Sequence, residues 1–163
     1  QGLRDLQEEE TLRRFIGTLR EEQERLGANG RRKPMLLKIA PDLSETEMDA
    51  MAEVLLASGI DGLICTNTTI DRAAVAKHRY GHETGGLSGA PAFAKSTAVL
   101  AGMSRRLGGK LPIIGVGGIL SGNDAQAKIS AGASLVQFYT GMIYRGPDLI
   151  GECVEAIRRG RGF

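Results

Sequence analysis

The sequence is poor in aromatic residues and carries little net charge. It contains no tryptophan, and aromatic residues make up 4% of its 163 positions. The 21 basic and 19 acidic residues leave a formal charge of +2. Proteins that bind nucleic acids present basic patches, and those that bind single strands add aromatic platforms on which bases stack. The composition therefore gives no reason to expect a nucleic acid as partner.

Long apolar runs and clustered metal ligands are also missing. No run approaches the ~20 consecutive apolar residues that a membrane-spanning helix needs. Cys65 and Cys153 match no metal-binding or redox spacing, so we expect two free, buried thiols. His78 and His82 are four residues apart, but the surrounding sequence is typical of a loop, and we predict no metal site there.

What the sequence does contain is four short apolar stretches that each end in polar or glycine residues. These predicted strands cover residues 35–38, 60–66, 112–117 and 133–140. Segments with the apolar spacing of helices separate them, so the pattern predicts repeated strand–loop–helix units. Strands joined in this way run parallel, and their carboxyl ends meet on one side of the sheet. The residues expected to share that rim are Lys38, Thr66, Asn67, Thr68, Gly117, Gly118, Tyr139 and Thr140.

Four such units predict an α/β protein, either an open parallel sheet or half of an eight-stranded barrel. The strands are nearly continuous apolar runs, which indicates burial on both faces of the sheet. A complete barrel needs about 250 residues, so this chain would supply about strands 5–8 of a (β/α)8 TIM barrel and their helices. The chain starts at Gln1 rather than at methionine, and we expect it to be a piece of a longer polypeptide.

Two neighbouring strand ends have features of a phosphate site. Residues 115–118 read Gly-Val-Gly-Gly, which leaves backbone amides accessible to an anion. Tyr139 and Thr140 end the next strand, and barrels often bind phosphate at two such adjacent loops. A glycine turn that serves only tight packing is the alternative. The G-x-G-x-x-G spacing of dinucleotide-binding proteins is absent.

The first two strand ends offer a cation and an amide. The Lys38 ammonium could stabilise negative charge on a ligand at the rim. Asn67 can present one acceptor and two donors to a planar ligand with adjacent N–H and C=O groups. A surface lysine and threonines that simply favour strands are equally consistent with these positions, so the local sequence leaves both interpretations open.

Taken in order, these segments resemble the C-terminal half of dihydroorotate dehydrogenase, in particular the class 2, quinone-dependent form that associates with membranes. The resemblance spans nearly the whole chain, and it makes residues 1–163 half of one FMN-binding barrel domain. The segments that carry it are Gly-Leu-Arg at 2–4, Leu-Lys-Ile-Ala-Pro-Asp-Leu at 37–43, Gly-Ile-Asp-Gly-Leu-Ile at 59–64, Thr-Asn-Thr-Thr at 66–69, Glu-Thr-Gly-Gly-Leu-Ser-Gly at 83–89, Pro-Ile-Ile-Gly-Val-Gly-Gly at 112–118 and Gly-Ala-Ser-Leu-Val-Gln at 132–137.

This resemblance implies a barrel that holds FMN at its C-terminal rim and oxidises dihydroorotate to orotate in pyrimidine synthesis, with a quinone as electron acceptor. Asn67 and Thr68 are implied to bind dihydroorotate or orotate. Lys38 would stabilise the anion that forms when the flavin is reduced. The residues implied to bind FMN are Lys38, Thr66, Gly89, Gly118, Tyr139 and Thr140.

The resemblance also implies that part of the enzyme lies outside this chain. The class 2 base is a serine in a Ser-Pro-Asn-Thr segment just before Gly-Leu-Arg, so we expect it upstream of Gln1 and no catalytic base within the 163 residues. The expected partner is the N-terminal half of the same barrel, which would bring the quinone site and a peripheral contact with the cytoplasmic face of a bacterial membrane, or with the mitochondrial inner membrane. We expect the 163 residues alone to be inactive.

Two alternative functions remain open from the sequence. The first is another FMN- or phosphate-binding barrel oxidoreductase, which would share the glycine and Tyr-Thr rim but act on a different substrate. The second is a fragment that keeps the fold and has no catalytic role. Binding of orotate through Asn67 distinguishes the first, and flavin absorbance distinguishes the second.

Overall fold

The structure is a computed structural model that describes residues 9–27, 30 and 32–162. The Gly-Leu-Arg segment at 2–4 lies outside the described residues. Two short 3-10 turns, Ala73–Val75 and Ala90–Ala92, interrupt the long connection that follows the second strand. In chain order, the helices and strands are α1 (Glu9–Leu26), β1 (Leu36–Ile39), α2 (Glu45–Ser58), β2 (Gly62–Cys65), α3 (Phe93–Leu107), β3 (Ile113–Val116), α4 (Gly122–Ser130), β4 (Leu135–Gln137), α5 (Thr140–Arg145) and α6 (Asp148–Gly160).

The helix boundaries follow local capping chemistry. At the start of α2, the Ser44 hydroxyl accepts from the Glu47 amide, and the Glu47 carboxylate accepts from the Ser44 amide at 2.7 Å. This reciprocal pair satisfies two backbone donors that the first helical turn leaves free. Gly59 ends the same helix at a φ of +67°, a conformation that costs glycine little.

The four strands form one parallel sheet in the order β1-β2-β3-β4, which is also their order in the chain. Lys38 pairs with Ile64, Ile64 with Ile114, and Ile114 with Leu135. All four carboxyl ends therefore lie at the same edge, as the repeated strand–loop–helix pattern predicts. The fourth strand is shorter than predicted, because it ends at Gln137 and Thr140 begins α5.

Within the described residues, helices cover one face of this sheet and leave the other uncovered. The residues that point toward the helices are almost fully buried, including Ile39, Leu63 and Ile113. On the opposite face, the Leu135 side chain is 63% exposed and Lys38 is exposed as well. The prediction of burial on both faces is therefore wrong for the part of the chain that is described. The strands are apolar as predicted, but helices among the described residues pack against only one of their two faces.

Candidate functional site

A cavity of about 380 Å³ lies at the carboxyl ends of the strands. This volume falls within the range of roughly 300–1,000 Å³ that is usual for small-molecule and cofactor sites. The cavity brings together residues from four separate strand–loop junctions. Its lining includes all eight binding residues that the sequence analysis named: Lys38, Thr66, Asn67, Thr68, Gly89, Gly118, Tyr139 and Thr140.

The turn after β2 is held in place by both neighbouring strands. The Thr66 amide donates to the Val116 carbonyl at 3.1 Å, and the Asn67 amide donates to the Ile39 carbonyl at 2.7 Å. Thr66 is buried, and its hydroxyl donates to the Asn67 carbonyl. Asn67 itself is exposed. The backbone bonds fix the position of this residue, so its amide side chain is available to a ligand.

A charged network fixes the segment that follows the turn. The Thr69 hydroxyl donates to the Asp42 carboxylate at 2.6 Å, and the Lys95 ammonium lies 3.0 Å from both Asp42 and Asp71. Burial opposes ionisation of Asp42, but hydrogen bonds from Thr69, the Ile70 amide and Lys95 outweigh it and hold the pKa of Asp42 below its usual value. The network therefore fastens the β2 loop to the end of β1 and to α3.

The glycine turn after β3 packs directly against the first residue of α3. Gly117 and Gly118 have φ values of +104° and +76°. A Cβ atom added to Gly118 would lie 2.5 Å from the Phe93 Cβ and 2.7 Å from the Phe93 amide nitrogen. No side chain fits there, and the Gly118 N–H donates to none of the described residues. The turn thus presents a free backbone donor beside the cavity.

The β4 end and the long β2–α3 connection meet across the cavity. The hydroxyls of Thr140 and Ser88 are 3.0 Å apart, and a Cβ on Gly89 would lie 3.1 Å from the Thr140 Cγ2. Tyr139 precedes this contact and is 79% exposed. The sequence analysis did not single out Ser88, although it follows Leu87 within the glycine-rich segment.

Lys38 contributes a cation that has no partner among residues 9–27, 30 and 32–162. Its side chain is exposed at the end of β1, and its ammonium forms no hydrogen bond or ion pair with any residue that the structure describes. A positive charge in this position attracts anionic ligands and stabilises negative charge that develops on a bound group.

Lys128 is a second cation near the cavity, and the sequence analysis missed it. Its side chain is 0% exposed, and its Nζ donates to the Ser96 Oγ at 2.6 Å. Burial lowers the pKa of Lys128 to about 8 and raises the pKa of the neighbouring Cys65 thiol to about 12. The available signal was its position three residues after Ala125, on the apolar face of α4.

The remaining sequence features do not join this site. His78 and His82 are exposed on the β2–α3 connection. Within residues 9–27, 30 and 32–162, no three metal-ligating side chains come together. Across the same residues, no helix is both long enough and apolar enough to cross a membrane.

Comparison with known proteins places the chain in a family. A sequence model of dihydroorotate dehydrogenase matches residues 1–159. A relative from Xanthomonas oryzae pv. oryzae, named dihydroorotate dehydrogenase (quinone), is 58% identical over 161 residues, which cover 98% of this chain and 46% of the relative. A relative of the same name from Flavobacterium lutescens has the same identity and coverage.

Solved structures of the same family have the same fold as this chain. A ligand-free DHODH structure from Eimeria tenella matches with a TM-score of 0.90 and 42% identity, covering 98% of this chain and 47% of that one. The chain spans about half the length of the relatives it matches, and its parallel sheet with flanking helices is part of a TIM barrel. The α/β fold class predicted from the sequence is confirmed. The chain belongs to the dihydroorotate dehydrogenase family.

Proposed function

We propose that this chain is the C-terminal half of an FMN-dependent enzyme that oxidises dihydroorotate to orotate in pyrimidine synthesis and passes the electrons to a quinone. The observation that carries the proposal is the meeting of Lys38, Asn67, Gly118 and Thr140, from four strand ends, around one cavity. The name shared by the curated relatives supports the reaction and the quinone.

The residues around the cavity fit FMN. The turn at Gly117 and Gly118 leaves no room for side chains, so a phosphate can approach its backbone, and the Gly118 amide is a free donor. The exposed Lys38 ammonium would face the anionic part of the reduced isoalloxazine ring. Thr66, Gly89, Tyr139 and Thr140 would complete the FMN site. Bound FMN would supply the acceptor for the hydride that leaves dihydroorotate.

Asn67 and Thr68 would bind the pyrimidine substrate. The Asn67 amide can donate and accept at once, which matches the alternating N–H and C=O groups of dihydroorotate. Hydrogen bonds to Ile39 and Val116 already hold the backbone at this turn. The substrate would therefore meet a preformed site and lose less binding energy to ordering of the protein.

The proposed partner is the N-terminal half of the same barrel. The sheet exposes its β1 and β4 edges and one apolar face, which includes Leu135, and a barrel covers all of these by closing. That half would bring strands 1–4, the serine base and the quinone site. It would also bring the contact that holds the enzyme at the cytoplasmic face of a bacterial membrane, or at the inner membrane of mitochondria.

The experiment uses a complete barrel, which is this chain preceded in one polypeptide by the N-terminal part of the Xanthomonas oryzae relative. We expect it to be purified with bound flavin, to bind orotate with a change in the flavin spectrum, and to reduce a quinone when dihydroorotate is added. A colourless, folded protein would support the catalytically inert alternative. A flavin-containing protein that does not bind orotate would support the alternative that the chain belongs to a barrel oxidoreductase with a different substrate.

Removing the side-chain amide of Asn67 tests the substrate site independently of the FMN site. Asn67→Ala should weaken orotate binding at least tenfold, or about 1.4 kcal/mol, while FMN occupancy stays unchanged. Asn123→Ala, at an exposed position of α4, is the matched control and should change neither. The 163 residues without the N-terminal half should show no turnover, and full activity from them would contradict the half-barrel proposal.

A further inference from the structure

Lys128 is a buried cation whose charge has no close counterpart in the described part of the chain. It projects from α4 into the space behind the glycine turn, where its Nζ lies 5.0 Å from the centroid of the Phe93 ring. Its hydrogen-bond partner is the Ser96 hydroxyl, and no carboxylate among the described residues pairs with it. A cation–π contact offsets only part of the cost of burying an unpaired charge.

The groups packed around Lys128 do not neutralise it. From β2, the Cys65 thiol stays protonated at neutral pH, because burial raises its pKa to about 12. From α3, the neighbours Phe93 and Ser96 are uncharged. On α4 itself, Asp124 acts on Lys128 only at longer range, and its carboxylate accepts from the Ser121 hydroxyl at 2.9 Å. The site therefore has an excess of positive charge while Lys128 is protonated.

This charge is connected to the glycine turn through one hydroxyl. The Ser96 Oγ that accepts from Lys128 lies 3.1 Å from the Gly117 carbonyl oxygen and 3.0 Å from the Phe93 carbonyl oxygen, so its single proton is shared between these two acceptors. Because the peptide bond between Gly117 and Gly118 is trans, its carbonyl and its N–H point in opposite directions. Holding the carbonyl toward the buried Ser96 therefore turns the free Gly118 N–H away from the core, on the side of the cavity that Gly118 lines.

We propose that Lys128 is a positioning residue for the phosphate group of FMN. Through Ser96, its ammonium fixes the orientation of the Gly117–Gly118 peptide, and its buried charge is balanced when a phosphate dianion binds at the turn. This inference rests on the proposed FMN site and adds a residue that does not line the cavity.

The test compares FMN with riboflavin, which has the same ring system and no phosphate. Both ligands are titrated into the flavin-free complete barrel, and flavin fluorescence reports the Kd. In Lys128→Met, we expect FMN affinity to fall at least tenfold and riboflavin affinity to change less than twofold. Ser96→Ala should give a smaller loss with the same selectivity for FMN. Lys110→Met, at an exposed position before β3, is the matched control and should leave both affinities unchanged.

A pH series on the unmutated barrel gives a second readout that needs no variant. Because the pKa of Lys128 is about 8, the preference for FMN over riboflavin should decline as the pH rises above about 8. Lys128→Met should remove that part of the pH dependence. If Lys128→Met does not fold, as judged by circular dichroism, Ser96→Ala and the pH series decide the question.

The outcomes separate this inference from the function on which it rests. An equal loss of FMN and riboflavin affinity would mean that Lys128 serves packing alone and would overturn the inference. An unchanged preference for FMN in Lys128→Met, or an FMN preference that does not vary with pH, would overturn it as well. An unmutated barrel that binds neither flavin would instead refute the proposed function.

Discussion

Replacing Gly118 with alanine should destabilise the barrel by clear steric conflict. The new Cβ would lie 2.5 Å from the Phe93 Cβ, 2.6 Å from its Cα and 2.7 Å from its amide nitrogen. Two of these are backbone atoms at the start of α3, so no side-chain rotation can relieve the contact. The residue also has a φ of +76°, where any Cβ costs about 1–2 kcal/mol.

Gly109 separates the two contributions. It has the same φ of +76°, and nothing lies within 4 Å of the position where its Cβ would be. Gly109→Ala should therefore lower the free energy of unfolding by only the backbone cost, about 1–2 kcal/mol. Gly118→Ala should lower it by about 1–3 kcal/mol more, because the turn or α3 must shift to admit the methyl group.

Urea unfolding of the complete barrel and of both variants measures this difference. Flavin binding is the second readout, since the Gly118 amide is the free donor at the turn. We expect weaker FMN binding in Gly118→Ala and unchanged binding in Gly109→Ala. Equal loss of stability in the two variants would refute the argument that close packing against Phe93 dictates glycine at this position.

Three further predictions concern charges and thiols away from the turn. Asp42→Asn should lower the free energy of unfolding by about 1–3 kcal/mol at pH 7. Because the pKa of Asp42 in the folded state lies below its usual value, this stabilisation exists at neutral pH and is lost as the pH falls through that pKa. Urea unfolding at pH 3 should therefore show a smaller difference between the two proteins. Arg106→Gln breaks ion pairs with Asp49 at 2.6 Å and with Glu45 at 2.8 Å and should cost about 1–2 kcal/mol in the same assay, with Arg105→Gln as an exposed control. The Cys65 thiol is fully buried and has a pKa of about 12. The native unmutated barrel and native Cys65→Ala should therefore consume the same amount of a thiol reagent. After unfolding, the unmutated barrel should consume one equivalent more. A native difference would contradict that burial.

Local sequence determined most of the elements and their order, although it did not show that α5 begins at Thr140. The apolar runs, the capping box at Ser44 and the terminal glycine Gly59 act within a few residues of themselves, so each can be read without knowing the rest of the fold. The parallel topology followed from the strand–loop–helix repeat, and with it the common edge where Lys38 and Asn67 line one cavity. The resemblance to a family implied ligands that the residue spacing alone left open, and these remain predictions.

Only the tertiary structure decided which polar groups outside the cavity lining hold the loops of the site in place. Lys128 has the sequence context of an ordinary helical lysine, and its burial depends on how α4 packs against α3 and β3. Asp42 and Thr69 are far apart in the chain and meet because the β1 and β2 loops are neighbours. A short-range sequence pattern specifies whether a segment forms a helix, a strand or a turn. Whether a charge is solvated or enclosed is set by contacts between segments, because these determine how much water surrounds it.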